Sequence, residues 1–235
     1  MQRISGVIFD LDGTLIDSLT AYTMSFNRTV DRHRLLPINL REMTDLLNQF
    51  ISLDQMLERT YPQLGAEARA GFMTEMREEF IALAPAHITL KPYAKEVLIE
   101  LRDQGMKIGI ATGRMSDGNS KWRDLRNLRI DTFIDAVVTA GETRPKPDPA
   151  SLIQCVFDLG LTPDACVFVG DSRADIIAAR SAGVTSIAIP TGVASRRDLA
   201  EEQPRYIIDS LAMLPGQLAA LCDGCPGTRS GRHFF

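Results

Sequence analysis

The chain has 235 residues, with 26 lysines and arginines against 30 aspartates and glutamates, a net charge of −4. It therefore has no global positive field to draw nucleic acid or an anionic membrane surface. Apolar residues make up 45% and charged residues 24%, the balance of an ordinary soluble globular chain, and no apolar run reaches the roughly 20 residues of a membrane span.

The first apolar run, "ISGVIFD" (4–10), meets Asp10 too early for a signal peptide, so export is not expected. It reads as a strand. From Asp17 to Lys91 no strand pattern is found. Segments such as "AYTMSFNRTVDRHRLL" and "EARAGFMTEMREEFIALA" repeat their apolar residues at three and four, which predicts a small helical bundle punctuated by Pro37, Pro62 and Pro85. Strands and helices then alternate. Strands are expected at "KIGIAT" (107–112), "IDAVVT" (134–139), "ACVFVGD" (165–171) and "TSIAIP" (185–190), with helices over 92–104, 117–128, 149–159 and 174–182. A short run "YIID" and the segment from Leu211 to Cys222 complete the pattern, and "DGCPGTRSGRHFF" reads as a frayed tail.

Short, nearly continuous apolar strands separated by helix-length segments predict a parallel sheet covered on both faces. The expected fold class is α/β: a doubly wound, Rossmann-like core from 1–16 and 91–222, an inserted all-helical cap over 17–90, and a tail over 223–235. The basic stretch Lys121, Arg123, Arg126 and Arg129 has the spacing of a solvated helix face, with anion binding as the other reading. Cys155 and Cys166 lie in apolar surroundings typical of core thiols, which fits a reducing cytoplasm. Cys222 and Cys225 have CxxC spacing, but without a second pair they make a weak metal or redox half-site.

In an open parallel sheet, ligands bind beyond the carboxyl ends of the strands. There the sequence places Asp10, Asp12, Thr112 and Asp171, with Asp175 four residues on and Lys146 before a helix. Asp10 and Asp12, spaced i, i+2 in extended chain, turn to one side. Gly13 permits a sharp exit and Thr14 can tie the turn. Two carboxylates about 4 Å apart repel by about 4 kcal/mol at an effective dielectric near 20, so a cation is needed. A hard divalent ion, Mg2+, suits oxygen ligands: Asp10 and Asp171 directly, Asp12 through its carbonyl, and Asp175 in support. Lys146, held extended by the proline after it, points from "RPKPDP", where Asp148 and Pro149 are expected to cap and begin the next helix.

The set "FDLDGTLIDS", "IATGR", "RPKPDP" and "VFVGDSRADI", in that order, resembles the four motifs of the haloacid dehalogenase-like superfamily of phosphotransferases, phosphoglycolate phosphatase-like members most of all. The resemblance implies that Asp10 is a nucleophile toward phosphorus and that Asp12 is the general acid and base. Mg2+, Lys146 and the Thr112 hydroxyl would neutralise charge, with backbone N–H groups near Leu11, Asp12 and Gly113 cradling the phosphate. An acid at Asp12 favours oxygen–phosphorus cleavage over dehalogenation. The implied substrate is a small phosphomonoester, phosphoglycolate-like or a sugar phosphate, and the implied assembly a monomer or homodimer, with neither nucleic acid nor membrane as partner. A phosphomutase of the β-phosphoglucomutase type and a non-catalytic binding protein remain the alternatives. Motif two departs from the family's usual Thr/Ser–Asn: Thr112 is followed by Gly113 and Arg114, and Arg114 is expected to hold an anionic leaving group. In the cap, Asn48, Gln49 and Ser52 are the substrate-contacting candidates.

Overall fold

The computed structural model describes residues 4–49, 51–116 and 121–223. Its chain runs β1 (Gly6–Phe9), β2 (Ile16–Asp17), α1 (Leu19–Arg32), α2 (Leu40–Leu47), α3 (Leu53–Thr60), α4 (Ala66–His87) and β3 (Thr89–Leu90). It continues through α5 (Ala94–Asp103), β4 (Lys107–Thr112), α6 (Arg123–Asn127), β5 (Ala136–Thr139), α7 (Ala150–Asp158) and β6 (Cys166–Gly170). α8 (Arg173–Ala182), β7 (Thr185–Ala188), α9 (Arg196–Glu201), β8 (Tyr206–Ile207) and α10 (Leu214–Asp223) follow.

Six strands form one parallel sheet in the order β5-β4-β1-β6-β7-β8. Alternation along each strand divides its side chains between two cores. Val7, Phe9, Ile108, Ile110, Val167 and Val169 pack on one face with Val97, Leu98 and Leu101 of α5 and Leu214 and Leu218 of α10. Ile8, Ala111, Val138 and Phe168 pack on the other with Leu152 and Val156 of α7 and Ala178 and Ala179 of α8. Burial on both faces is why these strands read as unbroken apolar runs. The chain runs outward from β1 through β4 to β5, then crosses to β6 on β1's other side, so the switch point lies at the carboxyl end of β1.

Helices α1 to α4 enclose a separate cluster built on Phe26, Val30, Met43, Met56, Leu57 and Phe72. Phe26 meets the Phe72 ring edge-on at 5.3 Å. Capping boxes at Asn39–Glu42 and Ser52–Gln55 start α2 and α3. Among the described residues no helix is long and apolar enough to cross a membrane.

The structure corrects several sequence expectations. The interval expected to lack strands contains β3, which pairs antiparallel with β2 as Ile16↔Leu90 and Asp17↔Thr89. Two residues carry too little alternation to register, and this pairing is secured by Lys91 N–H donating to the Leu15 carbonyl at 2.9 Å and by Lys91 Nζ on Asp17 at 2.9 Å. Pro85 does not end a helix: it lies in the last turn of α4, where its missing N–H removes one terminal bond. The helix expected over 117–128 is the five-residue α6 among described residues, and 117–120 lie outside them. Of the basic stretch, Lys121 pairs with Glu142 at 2.8 Å and Arg123 with the buried Asp124 at 3.3 Å, while Arg126 and Arg129 are exposed. Cys155 and Cys166 are buried free thiols. Cys225 and the tail over 224–235 lie outside the described residues.

Candidate active site

Asp10 follows β1 directly, its N–H donating to the Val169 carbonyl at 2.8 Å, so the sheet ladder itself fixes the position of its side chain. Lys146 Nζ donates to Asp10 Oδ1 at 2.6 Å, to Asp175 Oδ1 at 2.6 Å and to the Ala111 carbonyl at 3.0 Å. It comes from the loop between β5 and α7. The helix there begins one residue later than expected: Pro149 is the cap position and Asp148 accepts from Ala150 N–H at 2.9 Å. Asp175 belongs to the first turn of α8, where its Oδ2 accepts from Ser172 N–H at 3.0 Å and Ser172 Oγ at 2.7 Å. It thus both completes the capping box and faces Lys146.

Asp171 closes the group. Its Oδ1 accepts from Thr14 Oγ1 at 3.1 Å and its Oδ2 from Val193 N–H at 2.9 Å. Thr14 therefore ties motif one to motif four rather than stapling its own turn. Gly13 has φ +90, and a Cβ there would lie 2.6 Å from Asp171 Oδ2; the turn needs glycine for both reasons. The loop after β7 was not singled out from sequence. A Cβ on its Gly192 would sit 1.8 Å from Asp171 Oδ2, and Thr191 Oγ1 donates to the Gly13 carbonyl at 2.8 Å. Inspecting the end of the fifth predicted strand, "TSIAIPTGV", for polar residues would have found it.

Ligand atoms of Asp10, Asp171 and Asp175 all lie within 4.8 Å of one another, and all three residues are buried. Burial raises the Asp10 carboxyl well above the ordinary range despite Lys146, and the charges of Asp175, Asp171 and Asp12 push the same way. Burial, followed by the charge of Asp175, lifts Asp171 to about 7. For Lys146, burial alone would lower the ammonium, but Asp10 and Asp175 outweigh it and its pKa is raised.

The Asp12 carboxylate stands apart from these three and turns to Arg114, with Nε on Oδ2 at 2.8 Å and Nη2 on Oδ1 at 2.7 Å. Ser18 Oγ donates to Oδ1 at 2.5 Å. Burial would raise Asp12, yet Arg114 prevails and holds it below the ordinary carboxylate range. Thr112, at the end of β4, is buried and accepts from Arg114 N–H at 3.3 Å. Leu11 is buried as a side chain, so only its backbone can face a ligand, and Gly113 is exposed.

Arg114, expected to hold an anionic leaving group, pairs with Asp124 as well as with Asp12. The three cap candidates lie in different surroundings. Ser52 caps α3, Gln49 Oε1 accepts from Arg59 at 3.0 Å, and Asn48 Nδ2 donates to Asp198 of α9 at 3.4 Å while its Oδ1 is buried without a partner among the described residues.

A doubly wound sheet with buried carboxylates and a lysine at its switch point defines the general class as an α/β protein with a site for anionic chemistry. A family model described as haloacid dehalogenase-like hydrolase matches residues 7–189, and the chain belongs to that family of enzymes. It is 31% identical over 220 residues to a phosphoglycolate phosphatase of Pseudomonas putida, covering 89% of this chain and 78% of that one. It is 27% identical to the pyrophosphatase PpaX of Bacillus velezensis, covering 91% and 95%. A crystal structure titled as a predicted phosphoglycolate phosphatase from Haemophilus somnus superposes with a TM-score of 0.83 at 24% identity, covering 92% of this chain and 99% of that one, and shows the shared fold.

Proposed function

We propose that the protein is a Mg2+-dependent cytoplasmic phosphatase that hydrolyses a small phosphomonoester through an aspartyl-phosphate on Asp10. The observation that carries this reading is the buried meeting of Asp10, Asp171, Asp175 and Lys146 at the carboxyl end of β1. Three carboxylates against one ammonium leave surplus negative charge, and the donors are all hard oxygens, so the group fits Mg2+. Asp10, Asp171 and the Asp12 carbonyl would hold the ion, with Asp175 in support. Bound there, it would offset the charge of the phosphate and its leaving oxygen.

The steps belong to the chain's own residues. An Asp10 oxygen forms a bond to phosphorus while the bridging P–O bond breaks, its electron pair staying on the leaving oxygen, which takes a proton from Asp12. Water then attacks the phosphorus and gives its proton to Asp12. The bond to Asp10 breaks, releasing inorganic phosphate and regenerating the carboxylate. Lys146 and the Thr112 hydroxyl bind the phosphoryl oxygens, with backbone N–H groups near Leu11, Asp12 and Gly113. Helices α1 to α4, over 17–90, serve as a cap that excludes bulk water. The names of the relatives support a small phosphorylated compound as substrate.

The test is release of inorganic phosphate from phosphoglycolate, sugar phosphates and pyrophosphate. Turnover is expected to need Mg2+, to stop in EDTA, and to fall by about a thousandfold or more in Asp10→Asn. Undiminished turnover by purified Asp10→Asn protein sinks the reading.

A further inference from the structure

We propose that Arg114 is a positioning residue for Asp12, fixing the plane of its carboxylate, and that it does not bind the substrate. The inference rests on the phosphatase reading above. Its first support is the fork: Nε and Nη2 meet the two Asp12 oxygens at 2.8 and 2.7 Å, a bidentate geometry that an ammonium cannot reproduce. The fork is itself held in place. Nη1 of Arg114 pairs with Asp124, a buried residue of α6, and the guanidinium lies 5.2 Å from the centroid of the Phe80 ring of α4. Its backbone N–H bonds Thr112 Oγ1 at 3.3 Å. Arg114 is thus anchored from the sheet, from α6 and from the helical insertion.

Counting lone pairs shows what this does to Asp12. A carboxylate offers about four acceptor positions. Among the described residues, Oδ1 accepts from Arg114 and Ser18, whereas Oδ2 accepts only from Arg114 Nε. Oδ2 therefore keeps an acceptor position open, and the fork prevents the carboxylate from rotating it away. The charge balance argues against anion binding. Arg114 and Arg123 together face Asp12 and Asp124, so the group carries no net positive charge for a negatively charged leaving group to meet.

Three substrates separate the possibilities in Arg114→Gln, measured as kcat/KM with Mg2+. These are phosphoglycolate, with an anionic leaving group; ethyl phosphate, with an uncharged one; and 2,4-dinitrophenyl phosphate, whose leaving group needs no proton. The expected result is a fall of about a hundredfold for both alkyl esters and less than about threefold for the dinitrophenyl ester, the range of lost general-acid assistance. Arg114→Lys should not restore the alkyl esters, whereas added methylguanidinium should partly restore Arg114→Gln. A loss confined to phosphoglycolate overturns the proposal in favour of anion binding, and an equal loss on all three overturns it in favour of a purely structural role. If Arg114→Gln does not fold, Asp124→Asn keeps the fork but loosens its anchor, and should show the same leaving-group selectivity to a smaller degree; its absence counts against the proposal. Wild-type protein that releases no phosphate from these esters, from sugar phosphates or from pyrophosphate defeats the phosphatase reading itself, a result distinct from loss of selectivity in the variants.

Discussion

Asp171 makes the stability of the metal-free protein depend on pH in a direction opposite to that of a salt-bridged carboxylate. Burial and the neighbouring charge of Asp175 raise it to about 7, so the folded state binds its proton more tightly than the unfolded chain does. Stability then falls as pH rises from about 4 to about 7, by up to about 1.4 kcal/mol per unit. In EDTA, Asp171→Asn should therefore unfold at a higher temperature than wild type at pH 7.5, and the gap should close toward pH 4.5. A gap that widens on acidification would show that the burial argument is wrong. Mg2+ should raise the wild-type melting temperature most at the higher pH, where the carboxylates are free of protons. The residues behind this effect were legible because each closes a strand or opens a helix at the sheet's edge. The direction taken by Arg114 was not: its partner Asp12 lies 102 positions away, and nothing in "IATGR" indicates which acid the guanidinium will meet. Gly192 escaped for a related reason, since its importance lies in a side chain it lacks.

The helices of the insertion depend on one another more than on the sheet. Phe72 of α4 is fully buried, 5.3 Å from the rings of Phe26 and His33 of the α1 side. Replacing it by alanine should cost about 3–5 kcal/mol of the insertion's stability. Hydrogen exchange should localise that loss to α1 to α4, leaving the amides of β1, β4 and β6 protected; uniform loss across the chain would contradict a separate core. These helices were readable because apolar residues at three and four persist over several turns. Their exact limits were not, because Pro85 fits the final turn of α4 and because β2 and β3 are two residues each, held by a lysine and by neighbouring backbone rather than by an alternating pattern.

For the molecule as a whole, the order β5-β4-β1-β6-β7-β8 brings the ends of β1, β4 and β6 together although they are far apart in the chain. That class of topology was legible from the alternation of strands and helices; which loops lean over its edge was not, since that depends on packing between distant segments. The small β2–β3 ladder has a consequence for modularity. Because Asp17 faces Thr89 across an antiparallel pair, the two ends of the helical insertion lie about 5 Å apart. That is the span of an ordinary hairpin, so an Asn-Gly turn joining Asp17 to Thr89 should yield a soluble miniature whose exchange-protected amides still map to β1, β4 and β6. An aggregated product would show that the sheet cannot dispense with the packing lent by Ala21 and Ala84. A soluble miniature would make the β2–β3 ladder a socket, at which the helical insertion can be exchanged without rewiring a strand of the main sheet.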